Sequence, residues 1–183
     1  MKVALFRVDD RLIHGQVVIG WSRRLLPSRI VVVDDRIAAD PWERDLLASA
    51  APPETPAEFL TVGEAARAMR PDPSPARAGT RGDGAGASGG GGAGAVVLFD
   101  TPAVALQLAD AGFTVPELNV GGLHREGGRE VTPYLFVLPA DEAALRELAR
   151  RGTRLYAQDV PDGRRVEAAA LLGALAAAGR SEP

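Results

Sequence analysis

Among 183 residues there is no cysteine, only two histidines, an aromatic content of 5%, and a net charge of -3. Each shortage excludes something. Without cysteine the chain has no disulfide framework, thiolate metal site or thiol nucleophile, which is compatible with a reducing compartment and argues against a metal. A slightly acidic balance with scattered arginines leaves no basic footprint for nucleic acid. No apolar run is long enough to span a bilayer, and Asp9 and Asp10 interrupt the N-terminal stretch before a signal-peptide core could form. The expectation is a cytoplasmic domain that is not itself membrane-spanning. With two histidines, chemistry that needs a neutral nucleophile near pH 7 has few candidates, and His14 is the better placed.

What is present reads as one domain. A hydrophobic fraction of 46% suffices for one substantial core over 1–183. Short apolar runs rich in β-branched residues alternate with helix-like segments, as in an α/β fold with a mostly parallel central sheet covered by helices on both faces. About seven strands are expected, at 3–8, 29–33, 58–62, 95–99, 117–120, 134–138 and 155–160. The first helix should run over 16–26 with Val17, Trp21 and Leu25 on its apolar stripe, and others over 141–151 and 165–178. Asp40-Pro41 and Thr101-Pro102 each place a capping side chain before a proline, and Gly152 suits a left-handed helix end. Trp21 and Trp42 read as packing residues, and Asp34 and Asp35 as structural caps after a strand. The glycine-rich stretch 71–94 offers little apolar surface to order it and reads as a flexible loop; 179–183 reads as a loose tail.

One turn is well stocked for chemistry. Directly after the first strand stand Asp9, Asp10, Arg11, Leu12, Ile13, His14, Gly15 and Gln16. Open α/β sheets bind ligands outside the carboxyl ends of their strands, and a helix beginning near Gly15 aims backbone N–H groups at an anion. Arg11 adds a fork of donors matched to phosphate oxygens. A carboxylate on one ring nitrogen of His14 would fix its tautomer; Asp10 is the candidate, with Asp9 able to do the same. His124, after two glycines, is a candidate for the surrounding shell. On residue types alone a histidine in such a turn can equally be structural.

The run Val8-Asp9-Asp10-Arg11-Leu12-Ile13-His14-Gly15-Gln16-Val17 resembles the active-site loop of the IIB component of the mannose/fructose/sorbose family of the bacterial phosphoenolpyruvate-dependent sugar phosphotransferase system. The resemblance continues in Trp21, in 29–35, in Ala50-Ala51-Pro52-Pro53 and in Leu118-Asn119-Val120-Gly121-Gly122-Leu123-His124, and covers most of the chain except 71–94 and the C-terminal tail. It departs from the family pattern at Ile19, in the glycine-rich insertion and in the apolar character of 134–138. The resemblance implies a protein-Nπ-phosphohistidine sugar phosphotransferase. His14 would accept a phosphoryl group from the IIA component and pass it to a sugar bound by the membrane components IIC and IID. Arg11 would stabilise the phosphate, with Gly15 and Gln16 beside it, and no cofactor is implied. The alternatives are a regulatory phosphoacceptor of an incomplete system and an anion-binding domain without transfer. Arg7, Arg23 and Arg24 are candidates for a IIA-docking face, and a homo-oligomer is left open.

Overall fold

Strand residues alternate between two faces, and the buried side chains sort accordingly. In this computed structural model, which describes residues 1–70 and 94–177, Leu5, Ile30, Val32, Val96 and Leu98 pack with Val17, Trp21 and Ile37 on one side of a sheet. Phe6, Val8, Val31, Val33, Val97 and Phe99 pack on the other side with Ala65, Ala66, Val104, Leu108, Leu145 and Leu148. Because neighbours in sequence feed both cores, the strands read as nearly continuous apolar runs.

The sheet contains β1 (Val3–Val8), β2 (Arg29–Val33), β3 (Ala57–Leu60), β4 (Ala95–Phe99), β5 (Glu117–Val120), β9 (Arg154–Ala157) and β10 (Val166–Glu167). Their order is β10-β9-β5-β1-β4-β2-β3, all parallel except β10. After β1 the chain crosses towards β2, whereas after β5 it leaves for β9 on the opposite side. The carboxyl ends of the adjacent β1 and β5 therefore open a crevice at a reversal of strand order, where sheets of this type hold ligands. A second sheet of three short strands, β6 (Leu123–His124), β8 (Leu135–Val137) and β7 (Arg129–Thr132) in spatial order, branches off after β5.

Helices α2 (Asp35–Ala39), α3 (Pro41–Ser49), α4 (Val62–Met69), α5 (Pro102–Asp110), α6 (Pro139–Arg150) and α7 (Ala168–Ala177) follow largely legible signals. Asp40 accepts from the backbone of Trp42 and Glu43, Thr101 from Val104, and Asp34 from Ile37. Gly152 closes α6 at φ +97°.

Several expectations are corrected. The run at 134–138 lies in the small sheet, not the central one, because β8 pairs with β6 and β7; the seventh central strand is β10. Alternation alone does not say which sheet a strand joins. The strand expected to reach Val62 ends at Leu60, since Thr61 and Glu64 form a reciprocal cap that opens α4 there. The last helix begins at Ala168, after β10. The first helix is wound as a π-helix over Gln16–Trp21 and continues as α1 (Ser22–Leu25). Trp42 does not pack: its residue is 72% exposed. The expectations of a flexible 71–94 loop, apart from Gly94, and of a loose tail at 179–183 lie outside the described residues.

Candidate functional site

The loop after β1 is built from apolar anchors and one strained residue. Leu12 N–H closes a turn on the Asp9 carbonyl at 3.0 Å, with Leu12 at φ +52°. That region is costly for a branched L-residue, by about 1–2 kcal/mol. Burial of the Leu12 and Ile13 side chains beside Val17 and Trp21 holds the turn in place. The strained residue is also the one whose carbonyl meets His14, so the turn geometry and the ring orientation are set together.

His14 is 16% exposed in its side chain, with Nδ1 3.0 Å from the Leu12 carbonyl and Nε2 3.3 Å from Gln16 Oε1. The Gln16 oxygen is identified by its other partner: Arg11 Nη2, which can only donate, approaches it to 2.7 Å. Asp9 Oδ2 lies 3.8 Å from the same ring nitrogen. Both nitrogens of His14 thus face acceptors, and one of these contacts must give way before a lone pair can attack.

Beneath the histidine is a fully buried ion pair. β1 alternation points Arg7 towards the core that contains Leu5, and its guanidinium lies 5.6 Å from the Trp21 ring centroid. Arg7 and Asp9 are both 0% exposed and meet at 2.7 Å. Arg7 also donates to the Asn119 carboxamide oxygen, to the Gln158 carbonyl at 2.9 Å and to the Asp159 carbonyl at 3.0 Å. Burial pushes the Arg7 guanidinium below its ordinary value, and Asp9 opposes that shift. Asp9 is saturated: Oδ2 also accepts from Gly122 N–H at 3.2 Å, and Oδ1 accepts from Arg11 N–H at 3.2 Å with Arg11 Nε 3.6 Å away.

Asp10 does not reach His14. Its Oδ2 accepts from the His124 backbone N–H and its Oδ1 lies 3.1 Å from His124 Nδ1. The carboxylate beside His14 is Asp9, because the turn drives residue 9 under the loop and residue 10 across to β6. Gly15 has right-handed helical geometry, φ -53°, with open space where a Cβ would stand. Nor is Arg7 available as a docking residue, being fully buried; Arg23 is exposed, and Arg24 is an exposed side chain 3.2 Å from Asp162.

Of the two glycines after β5, the first is required by close approach to the buried Arg7, while the second faces the ends of the exposed His124 and Arg11 side chains. A Cβ at Gly121 would lie 2.2 Å from Arg7 Cζ, and one at Gly122 would lie 2.8 Å from His124 Cε1 and 3.0 Å from Arg11 Nη2. Sequence reasoning missed Arg7, Asn119 and Gln158 as the frame of the site. A usable signal existed for Arg7, a charge inside an apolar strand followed two residues later by an aspartate. Asn119 and Gln158 gave none, since their contacts come from strand register: Arg7 pairs with Asn119 across β1 and β5.

Fold and loop together define an α/β protein with a histidine-bearing loop at the carboxyl edge of its sheet. Comparison with known proteins specifies it further: residues 3–74 and 90–180 match the model of the PTS system sorbose subfamily IIB component, and the chain belongs to that family. It is 32% identical over 162 residues to the PTS system fructose-specific EIIB component of Bacillus subtilis, covering 88% of this chain and 90% of that one. It is likewise 32% identical over 161 residues to the mannose-specific EIIAB component of Escherichia coli K12, covering 87% of this chain but 45% of that longer protein. The crystal structure of the IIBSor domain of the sorbose permease from Klebsiella pneumoniae superposes with a TM-score of 0.75 at 28% identity, over 97% of this chain and 98% of that one. The protein is thus a IIB component of a sugar phosphotransferase system. Among the described residues no helix is long and apolar enough to cross a membrane, and no cluster of three or more His, Cys, Asp or Glu is set to hold a metal.

Proposed function

We propose that the whole chain, 1–183, acts as one phosphocarrier domain. It accepts a phosphoryl group on His14 from a phosphohistidine of a IIA component and passes it to a sugar of the mannose, fructose or sorbose type held by membrane IIC and IID components. The observation that carries this reading is the cluster His14, Gln16 and Arg11 seated on the buried Arg7–Asp9 pair, in the loop of a IIB-family fold.

The chemistry needs positioning and charge more than a cofactor. As the donor P–N bond breaks, its electron pair returns to the donor ring, and the lone pair of a His14 nitrogen forms the new P–N bond. The attacking nitrogen carries no proton; it is the proton on the opposite ring nitrogen of His14 that becomes acidic once the P–N bond forms, and its release balances the proton taken up by the departing ring. Arg11 is 43% exposed in its side chain and can exchange the Gln16 oxygen for a phosphoryl oxygen without leaving its contact with Asp9. The same exchange frees the Gln16 amide from His14. In the onward step a sugar hydroxyl oxygen attacks phosphorus, the P–N bond breaks, and the hydroxyl proton passes to the ring.

The test is transfer from phosphoenolpyruvate through the general phosphotransferase proteins and a competent IIA. Wild type is expected to carry an acid-labile, base-stable label and His14→Ala none. Arg11→Ala is expected to slow labelling by about 100-fold, the loss associated with one donor to developing charge. A fully labelled His14→Ala protein overturns the assignment.

A further inference from the structure

His124 and Arg11, the side chain bridged to His14 through Gln16, converge on one glycine. His124 ends β6, and Asp10 grips it at two points, the backbone N–H on one carboxylate oxygen and Nδ1 3.1 Å from the other. A carboxylate oxygen accepts here, so Nδ1 carries a proton and the second protonation of the ring falls on Nε2. The ring is 44% exposed, yet it is not left to rotate freely. Its Cε1 edge comes within 2.8 Å of the position a Cβ would take on Gly122, while Arg11 Nη2 lies 3.0 Å and Asp9 Oδ1 3.4 Å from that same position. Because Cε1 is bonded to both ring nitrogens, Nε2 sits next to this corner. Arg11, bridged to His14 through Gln16, stands on its other side.

We infer that His124, oriented by Asp10, is a second phosphoryl ligand of the site: as imidazolium it donates Nε2–H to an oxygen of the phosphoryl group that Arg11 also holds. This rests on the reading of His14 as phosphoryl carrier and adds no covalent step; no bond to His124 is made or broken. Arg11 is bound to the carboxylate of Asp9, which Arg7 also pairs, and His124 to the separate carboxylate of Asp10, so the two ligands are braced separately. The charged groups around His124 are Asp10, which holds it, and Asp9 and Arg11 across Gly122. Arg125, next in the chain, turns to the Asp100 carbonyl at 2.8 Å and towards Asp141, and Phe136, opposite His124 in β8, carries no charge. A cationic ring donates to phosphate more strongly than a neutral one, so comparing pH 6 with pH 8 sets the contribution of His124 against that of Arg11.

The experiment is a titration of the full chain with inorganic phosphate at pH 6 and pH 8, following the imidazole C–H signals by NMR, beside labelling by IIA. Phosphate is expected to shift both His14 and His124. His124→Gln, which retains polarity but cannot become a cation, should weaken phosphate by about tenfold at pH 6 and clearly less at pH 8, the size expected for one hydrogen bond to a charged group. The rate of His14 labelling should follow the same pH pattern. Asp10→Asn, which removes the carboxylate that braces the ring, should reproduce the effect in a protein with an unchanged NMR fold signature. A titration that shifts His14 alone, or His124→Gln with wild-type phosphate affinity at both pH values, overturns the inference. If phosphate behaves as expected but a competent IIA does not label wild type, the ligand role of His124 stands and the carrier reading of His14 falls.

Discussion

Two aspartates stand at the carboxyl ends of neighbouring strands and have opposite fates. Asp9, after β1, is completely buried and bonded to Arg7, to Gly122 N–H and to Arg11 N–H. Asp100, after β4, is partly buried, and its Oδ1 has no hydrogen-bond partner. Desolvation, and then the nearby charge of Asp34, push the Asp100 carboxyl above its ordinary range. The same residue type in adjacent strands thus becomes a keystone where a buried cation and two backbone donors meet it at close range, and a destabilised carboxylate where burial outweighs its hydrogen bonds from Thr101 and the charge of Arg125. Position at the edge of a sheet does not make a site; the partners delivered to that position do.

The sharpest way to break the contrast is to remove the cation. Arg7→Met should leave Asp9 as an uncompensated buried charge and cost about 3–5 kcal/mol in a urea unfolding experiment. An unchanged midpoint would mean the pair does not support the loop. Next in size is Gly121→Ala, whose Cβ would fall 2.2 Å from Arg7 Cζ. Such overpacking is expected to cost about 1–3 kcal/mol and to slow phosphoryl acceptance by displacing the frame under His14. A variant with wild-type stability and labelling would show that Arg7 moves without consequence.

The other half of the comparison predicts a gain. Asp100 has a raised folded-state value, so its ionisation opposes folding at neutral pH and the penalty is relieved as pH falls through that value. Asp100→Asn should therefore melt higher than wild type at pH 7, with the difference closing in acid. A lower melting temperature at pH 7 would refute the account. The smallest effect belongs to the exposed ion pairs of α6. Glu147, drawn down to about 2 by Arg150 and then Arg151, lies at the surface with 25% of its side chain exposed. Its pairing adds stability above the ordinary glutamate value that is lost as pH falls towards about 2, yet Glu147→Gln should leave the melting temperature at pH 7 unchanged within error, because solvent screens such pairs. A large drop would mean that surface pairs, not the buried one, carry electrostatic stability in this protein.

Much of this was legible. Strands β1, β2, β4 and β5 could be read to the residue, because runs such as Ile30 to Val33 feed two cores at once and stand out as nearly continuous apolar stretches. Caps at Asp40 and Thr101 were equally plain, since a short oxygen-bearing side chain before proline serves a local need. Thr61 with Glu64 was equally readable and was passed over. What could not be read was pairing at a distance: that 134–138 leaves the main sheet, that Val166–Glu167 joins it, and that Asp10 turns to His124. These depend on where the chain returns, and no local propensity encodes that.

The sequence by itself determined the alternation of strands and helices, the loop from Asp9 to Gln16 and the scarcity of histidine and cysteine that makes His14 the candidate nucleophile, because composition and local spacing suffice for each. Only the tertiary structure decided which aspartate lies beside His14, why Gly121 must be bare, and that Arg7 is a buried strut. Those outcomes follow from register between β1 and β5, and register is settled by packing the whole sheet, one residue of slip being enough to turn every side chain to the other face.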